Sequence, residues 1–242
     1  MAEAALWGFV GSSSLLIGAA LGLIRQAPPL VIGLVMGFGA GVLISAVAFE
    51  LTEEAYSLGG ADAVAIGLAV GALAYFAGDQ ALARRGAKTR MSHDNQGSDD
   101  SAGALLLGAV LDGVPESAVI GISLLEGAGV GVAVLAAVFL SNLPESFSSA
   151  MGMKRSGRSS GRVLLSWAAV VLTGTVAAAL GYGLLDGASD NSIALIQAFA
   201  GGAVLTMLAD TMMPEAFRHG GRAVGLVTVL GFALAFLLST LQ

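Results

Sequence analysis

The sequence predicts an all-α membrane protein with eight transmembrane helices, and three observations lead to that prediction. Of the 242 residues, 56% are hydrophobic and only 12% are charged, and the mean hydropathy is +0.84. Long apolar runs recur along the chain, and about 20 apolar residues suffice for a helix to cross a hydrocarbon core roughly 30 Å thick. Basic and acidic residues alternate between successive connections. The predicted spans are 4–24, 30–52, 62–82, 102–125, 128–150, 163–185, 192–213 and 222–241.

Span 1 is expected to cross the membrane rather than to act as a cleaved signal. Its start, MAEAALWG, has no basic leading region, and no convincing small-residue cleavage site follows it. Spans 1 to 3 carry glycines four residues apart, and small residues at this spacing let helix backbones approach closely in lipid. They predict a tightly packed helix bundle. The glycines are Gly18 and Gly22, then Gly33, Gly37 and Gly41, then Gly67 and Gly71.

Between spans 3 and 4 lies a polar segment, 84–101, with the sequence RRGAKTRMSHDNQGSDDS. It is too poor in apolar residues to pack a core, so we expect a flexible cytoplasmic loop. A single exposed histidine beside an aspartate is typical of an ordinary loop, and His93 and Asp94 are not assigned to a metal site. The whole chain, 1–242, is predicted to form one integral membrane domain.

Spans 4 and 5 share a motif, LDGVPES at 111–117 and LSNLPES at 140–146. Proline has no backbone N–H, so Pro115 and Pro144 each leave the carbonyl four residues earlier without its helical partner. Each proline is therefore predicted to break its helix and to expose a backbone oxygen.

The same motif places oxygen-bearing side chains on one face of each helix. Asp112 and Glu116 lie four residues apart, as do Ser141 and Glu145, and Asn142 lies close to the second pair. If spans 4 and 5 pack side by side, these groups form an oxygen-rich pocket that suits a cation. A carboxylate at the centre of a span costs about 2.5–3.5 kcal/mol on insertion scales. Since neither span contains Lys or Arg, the charge must be neutralised by protons, a metal ion or water.

Spans 2 and 7 also resemble each other, with FGAGVLISAVAFELTEEA at 38–55 matching FAGGAVLTMLADTMMPEA at 199–216. Five steps across the membrane separate them, so their directions are opposite, and the same holds for spans 4 and 5. This pattern predicts inverted repeats, with spans 1–3 and 6–8 around a central span 4/5 pair and a substrate site near the midplane. Chance similarity between Ala- and Gly-rich helices is the alternative for the 2/7 match.

Charge sets the predicted orientation, because cytoplasmic loops carry an excess of Lys and Arg. Every basic residue falls in the first, third, fifth or seventh loop, which places both termini outside. The net charge of −6 requires no nucleic-acid partner, and the absence of cysteine excludes disulfides and thiolate metal sites. The basic residues are Arg25; Arg84, Arg85, Lys88 and Arg90; Lys154, Arg155, Arg158 and Arg162; and Arg218 and Arg222.

These features together resemble the ZIP family of divalent-metal transporters. The paired Pro-Glu motifs at 115–116 and 144–145 match the family's motifs in spans 4 and 5, and Met-Pro-Glu-Ala at 213–216 resembles its span-7 ending. The family also has eight spans, both ends outside and a cytoplasmic loop between spans 3 and 4. Both leading histidines of its motifs are absent here. The resemblance implies uptake of a divalent cation into the cytoplasm, with the plasma membrane as the location.

By the same resemblance, Glu116 and Glu145 carry over directly as metal ligands, and Asp112 and Ser141 stand at the histidine positions. Asn142 occupies a position where an acid or polar group is common. Span 6 holds no acid before its end, so one site is simpler than two. Oxygen donors favour harder ions such as manganese, although zinc also accepts carboxylates. The ion, whether zinc, manganese or iron, is the transported substrate, and no prosthetic group is implied.

Acids nearer the ends of spans suggest a pathway. Glu50 and Asp210 lie deeper along their spans and are the candidate gates. For Glu53, Glu54 and Glu215 a solvated position at the interface is at least as good an interpretation as a place in the pathway. A carrier that uses the carboxylates for protons or another solute is the alternative function. We expect no enzyme, because no span holds the base or paired aspartates of an intramembrane protease. Whether two copies form a homodimer is left open.

Overall fold

The computed structural model describes residues 1–25, 27–84, 99–126 and 131–240, and for 99–105, 126 and 133 it describes the backbone alone. No strand occurs in that part of the chain, as the sequence predicts. Two π-helical segments interrupt the α-helices, and we call them the first π segment (Val47–Thr52) and the second π segment (Leu208–Met212). The helices are α1 (Ala2–Ile24), α2 (Pro29–Ala46), α3 (Glu53–Arg84), α4 (Asp99–Ser123), α5 (Val132–Arg155), α6 (Ser160–Leu185), α7 (Asp190–Met207), α8 (Met213–Gly220) and α9 (Ala223–Ser239).

Within the described residues, five helical stretches are long and apolar enough to cross a membrane. The prediction of an all-α protein with membrane-spanning helices is confirmed at this level. A further apolar helix, Ala223–Ser239, is shorter. The five stretches are Ala2–Ile24, Pro29–Arg84, Leu106–Ser123, Ser160–Leu185 and Asp190–Gly220.

The second and seventh predicted spans end too early. Helical backbone continues through the first π segment as far as Gly60, where φ is +71°. It continues through the second π segment as far as Gly220, and Gly221 follows with φ of +59°. Only glycine adopts positive φ at little cost, so Gly60 and Gly221 are where these helices end. The fall in hydropathy at residues 52 and 213 does not mark the ends of the helices.

The loop predicted over 84–101 is corrected at both ends. Arg84 is the last residue of α3, and α4 already begins at Asp99. Residues 85–98, with His93 and Asp94, lie outside the described residues, so the flexibility expected of that segment stays a prediction.

Glycines bring the helix backbones into direct contact, as their spacing predicts. A Cβ atom at Gly18 would collide with the Leu143 carbonyl of α5, and one at Gly22 would collide with the Phe147 carbonyl. In α3, a Cβ at Gly71 would meet the Phe199 carbonyl of α7 in the same way. Backbone contact of this kind maximises dispersion between helices in a lipid environment.

The two stretches that match in sequence, 38–55 and 199–216, also match in structure. Gly41 packs against the Thr228 carbonyl of α9, and its sequence match Gly202 packs against the Leu68 carbonyl of α3. The first and second π segments begin at matched positions, 47 and 208. The α2–α9 and α7–α3 pairs therefore have the same internal packing.

The helices form two groups. In the first helix group, α1 packs on α5 and α6, and α4 packs on α6. In the second helix group, α3 packs on α7, and α2 packs on α8 and α9. The groups meet where α2 lies against α5 and α4 lies against α7, and we call this boundary the seam. The motifs of α4 and α5 lie on the two helices that the first group contributes to it.

Candidate functional site

The two motif prolines do not break their helices. Pro115 lies inside α4, and Pro144 lies inside α5. Proline in a helix interior removes one backbone hydrogen bond, and here the helical path survives that loss. The expectation of a helix break at these prolines is wrong, whereas the two π segments of the second helix group do depart from α-helical geometry.

Asp112 is buried at the seam and is held from the opposite group. Its side chain is 3% exposed, and the Tyr75 hydroxyl of α3 donates a hydrogen bond of 2.5 Å to its Oδ1 atom. Tyr75 is itself 2% exposed. The Thr211 hydroxyl, in the second π segment, lies 3.5 Å from the same Tyr75 oxygen. One aspartate, one phenol and one threonine from three different elements thus share a buried polar contact.

Glu116, one turn after Asp112, is also 3% exposed. Its Oε2 atom has no hydrogen-bond partner among the described residues. A buried polar atom without a partner costs about 1–3 kcal/mol, and more when it is charged. Since acids buried in membrane helices usually mark a functional site, this oxygen is the strongest indication of a site among the residues that the structure describes.

A small cavity adjoins Glu116. Its volume is about 20 Å³, which is enough for roughly one water molecule. Apart from Glu116 the lining is apolar and comes from α2, the first π segment, α4, α5 and α7. Its members include Leu43, Val47, Val119, Val138 and Val204. Glu116 thus extends from the first helix group toward the helices of the second.

On α5, Ser141 and Asn142 are buried, at 3% and 4% exposure. The Ser141 hydroxyl donates to the Val138 carbonyl of its own helix at 3.1 Å. A Cβ atom at Gly39 of α2 would lie 3.2 Å from Ser141 Cα, so this part of α5 lies directly against the second helix group. Glu145 is only half-buried.

The sequence predicts that three carboxylates converge in one pocket, but the described residues do not form such a cluster. Among them, no group of three or more His, Cys, Asp or Glu side chains is placed to hold a metal ion. The structure brings Asp112 to Tyr75 and Thr211, and Glu116 to an apolar cavity. The five predicted ligands all lie on the two seam helices of the first group.

The two predicted gates differ. Glu50 is half-buried in the first π segment, and a Cβ at Gly131 would lie 3.6 Å from its Oε2 atom. The Gly131 N–H donates to the Ser123 hydroxyl at 3.3 Å, so Glu50 lies beside Gly131, the residue before α5. Asp210 is exposed, because depth along a helix does not determine which face a residue occupies, and its role as a gate stays a prediction.

Glu215 is buried rather than solvated. The residue is 5% exposed. His219 Nε2 lies 2.8 Å from its Oε1 atom, and Arg218 lies 3.3 Å from its Oε2 atom. These residues stand three and four positions later on the same helix, which is the spacing that brings side chains together. Glu215 is therefore stabilised locally within α8.

Tyr75, Thr211 and Gln197 are the polar side chains that sequence reasoning missed. Gln197 of α7 is 1% exposed, and its Oε1 atom has no hydrogen-bond partner among the described residues. The available signal was a polar side chain within a long apolar run, the same signal that identified Asp112. That signal is weaker for tyrosine, threonine and glutamine, because their side chains carry no charge.

Comparison with known proteins adds no family to this geometry. A scan against protein-family models gives no match, and a search of curated proteins gives none either. The functional argument therefore depends on the seam residues and on the motif pattern of the sequence.

Proposed function

We propose that the chain is a multi-pass membrane carrier that moves a divalent metal cation into the cytoplasm through a carboxylate site at the seam. The observation that carries the proposal is Glu116 Oε2, a buried carboxylate oxygen with no hydrogen-bond partner among the described residues. Asp112 lies one turn away and is equally buried. Two acids this close inside a membrane bundle require a positive charge or protons for neutrality.

Eight crossings with both termini outside are part of the proposal, and helix directions support them. Successive contacts pair Gly18 with Leu143 and Gly22 with Phe147, so α1 and α5 run parallel. Contacts of Gly8 with Ala178 and Ser12 with Gly174 make α1 and α6 antiparallel. Alternating spans have this arrangement. The break at Gly60 divides the long second stretch into two crossings, and the placement of basic residues assigns the outside.

Inverted repeats are supported by the matched packing of the α2–α9 and α7–α3 pairs. In the 2/7 alignment Phe38 matches Phe199, and each lies with its carbonyl against a glycine, Gly231 in one pair and Gly71 in the other. Carriers built from inverted repeats hold their substrate near the midplane, where the repeats meet. Asp112 and Glu116 lie on α4. In the proposed repeat, α4 and α5 are the central pair, and the symmetry axis would relate one to the other.

Membership of the ZIP family and a place in the plasma membrane are proposed on the paired Pro-Glu motifs. The ligands we propose are Asp112, Glu116, Asn142 and Glu145, with Ser141 beside them, and their convergence around the ion is part of the proposal. All are oxygen donors, which suit manganese and iron(II) and are accepted by zinc. The cation is cargo, and no prosthetic group enters the proposal. A homodimer is compatible with it but is not required by any of its steps.

A second candidate function is a proton-coupled or other-solute carrier that uses the same carboxylates without metal. One observation favours it, namely that the described residues contain no ready group of three metal-ligating side chains. A proton needs only one carboxylate at a time, and Glu116 offers one.

Uptake into proteoliposomes separates these functions. Wild-type protein and the Glu116→Gln/Glu145→Gln double variant are supplied with Zn, Mn, Fe, Co and Cd ions. The matched control is Glu3→Gln/Asp62→Asn, which removes two exposed carboxylates. Uptake of an ion by wild type and control that disappears in the double variant supports the metal carrier. Background uptake of every ion by all three proteins contradicts it and directs attention to proton flux.

A further inference from the structure

The contact between Tyr75 and Asp112 has a second partner that gives it a role beyond packing. The Tyr75 oxygen lies 2.5 Å from Asp112 Oδ1 on α4 and 3.5 Å from Thr211 Oγ1 in the second π segment. Tyr75 belongs to α3, so the hydroxyl joins both helix groups across the seam. Segments of π-helix inside α-helices occur frequently at functional sites.

Proton counting limits what this hydroxyl can do. A phenol has one hydrogen to donate, and it can also accept. The Thr211 hydroxyl donates its own hydrogen to the Met207 carbonyl at 2.6 Å, so toward Tyr75 it acts as an acceptor. Of these two oxygens, Asp112 Oδ1 and Thr211 Oγ1, Tyr75 therefore donates to one at a time. A charged carboxylate is the stronger acceptor, which accounts for the shorter distance to Asp112.

A cation changes that choice, because it withdraws charge from the carboxylate oxygens that it binds. The Asp112 oxygen is then a weaker acceptor than in the ion-free carboxylate, and the Tyr75 O–H can turn to Thr211 without leaving the phenol. The hydrogen bond that crosses the seam from α3 to α4 is exchanged for one that stays within the second helix group.

We propose that Tyr75 is a positioning residue that couples the charge state of Asp112 to the second π segment. When Asp112 is ionised and binds no cation, the Tyr75 hydroxyl donates to it and holds the aspartate at the seam. With Asp112 neutralised by a cation, Tyr75 releases it and stabilises Thr211. The coupling to a metal rests on the proposed function, whereas the response to charge does not.

Hydrogen exchange of the 208–212 amides, followed by mass spectrometry without metal, tests the response to charge. Asp112→Asn removes the charge, and its amide group can donate to Tyr75, so the Tyr75 hydrogen should turn to Thr211. We expect exchange about threefold slower than in wild type. The Asp112→Asn/Tyr75→Phe variant should lose this protection. The matched control is Tyr56→Phe, the same substitution at a residue of α3 that is 61% exposed, which should exchange like wild type.

The second arm adds Mn²⁺ or Zn²⁺ to wild type, Tyr75→Phe and Thr211→Val. Slower exchange at 208–212 in wild type alone supports the coupling, and this arm needs no Asp112 variant to fold. Equal slowing in wild type and Tyr75→Phe overturns it while leaving a metal carrier in place. A Tyr75-dependent effect of Asp112→Asn without any effect of the ions keeps the response to charge and contradicts neutralisation of Asp112 by the ion, while the uptake experiment decides on the carrier separately. No effect of Asp112→Asn, or one that persists without Tyr75, overturns the coupling.

Discussion

The motif helices α4 and α5 share the Pro-Glu-Ser sequence but differ in what surrounds it. In α4, Asp112 accepts a hydrogen bond from Tyr75 of the opposite helix group, and Glu116 is 3% exposed with an unpartnered oxygen among the described residues. In α5, Ser141 takes the place of the aspartate, and its hydroxyl bonds within its own helix. Glu145, the match of Glu116, is half-buried.

The facing helices explain part of this difference. Gly71 of α3 and Gly231 of α9 make matched contacts, and one turn later α3 has Tyr75 where α9 has Ala235. Both residues are 2% exposed, but only the tyrosine offers a hydrogen-bond donor to the seam. A repeated motif therefore does not produce two equal sites, and we expect the principal ion contacts on the α4 side.

The largest effect expected from this asymmetry is on uptake by the two glutamate variants. Glu116→Gln should lower the rate of ion uptake about 100-fold, equivalent to ~2.7 kcal/mol, because it removes the charge of the fully buried carboxylate. Glu145→Gln should lower it about tenfold, or ~1.4 kcal/mol, since its half-buried carboxylate is less enclosed by the protein than that of Glu116. Initial rates in proteoliposomes measure both.

Equal losses in the two single variants would contradict the asymmetry and favour two equivalent ligands. Glu3→Gln, at an exposed carboxylate, is the control for the loss of one charge, and its uptake should equal that of wild type.

The next effect is on stability, and it compares two glycines of α4. A Cβ at Gly121 would collide with the Ala178 carbonyl of α6, whereas a Cβ at Gly113 would meet nothing within 4 Å. Gly121→Ala should lower the free energy of unfolding by about 1–3 kcal/mol. Gly113→Ala should raise it by up to ~1 kcal/mol, because it restricts the unfolded chain. Thermal unfolding in detergent measures both, and destabilisation by Gly113→Ala would show that the seam is tighter there than the backbone geometry indicates.

Much of the helix arrangement was predictable because apolar runs of spanning length are visible directly in the sequence. Span 6 was predicted over 163–185, and α6 covers Ser160–Leu185, with the Ser159 hydroxyl accepting from the Arg162 N–H as its cap. The missed ends, at 52 and 213, lie where π segments carry the helix beyond the apolar run. Hydropathy records the membrane boundary, whereas the helix ends only at a glycine with positive φ.

The candidate site was predictable in its residues but not in its partners. Buried acids stand out in an apolar run, and Asp112 and Glu116 were identified that way. Tyr75 lies 37 residues from Asp112 in sequence, and no periodicity within one helix reveals a contact between two. The sequence does not reveal that Asp210 is exposed and Glu215 is buried. Depth along a helix is encoded in sequence, but the helix that covers each face is set by the packing of the bundle.

A moderate effect is expected on ion affinity when the first residue of each motif is changed. Asp112→Asn should weaken binding of the transported ion about tenfold, or ~1.4 kcal/mol, because a neutral amide replaces an anionic ligand. Ser141→Ala should change affinity less than about twofold, because the Ser141 hydroxyl is already satisfied by Val138. Isothermal calorimetry on the purified proteins measures both constants. A larger loss in Ser141→Ala than in Asp112→Asn would reverse the assignment of the stronger side.

The smallest effect concerns the serine that ends each motif. Ser117 lies across the helix interface with its hydroxyl 3.4 Å from that of Ser12 in α1, whereas the Ser146 hydroxyl donates to the Asn142 carbonyl of its own helix at 2.9 Å. Ser117→Ala should lower the free energy of unfolding by about 1 kcal/mol, because it removes the Ser117 hydroxyl from beside the buried Ser12 hydroxyl. Ser146→Ala should change it by less than ~0.5 kcal/mol, because a bond back to the preceding turn adds little to a helix. Thermal unfolding of the two variants side by side gives the comparison, and a greater loss in Ser146→Ala would mean that α5, rather than α4, depends on its motif serine for packing.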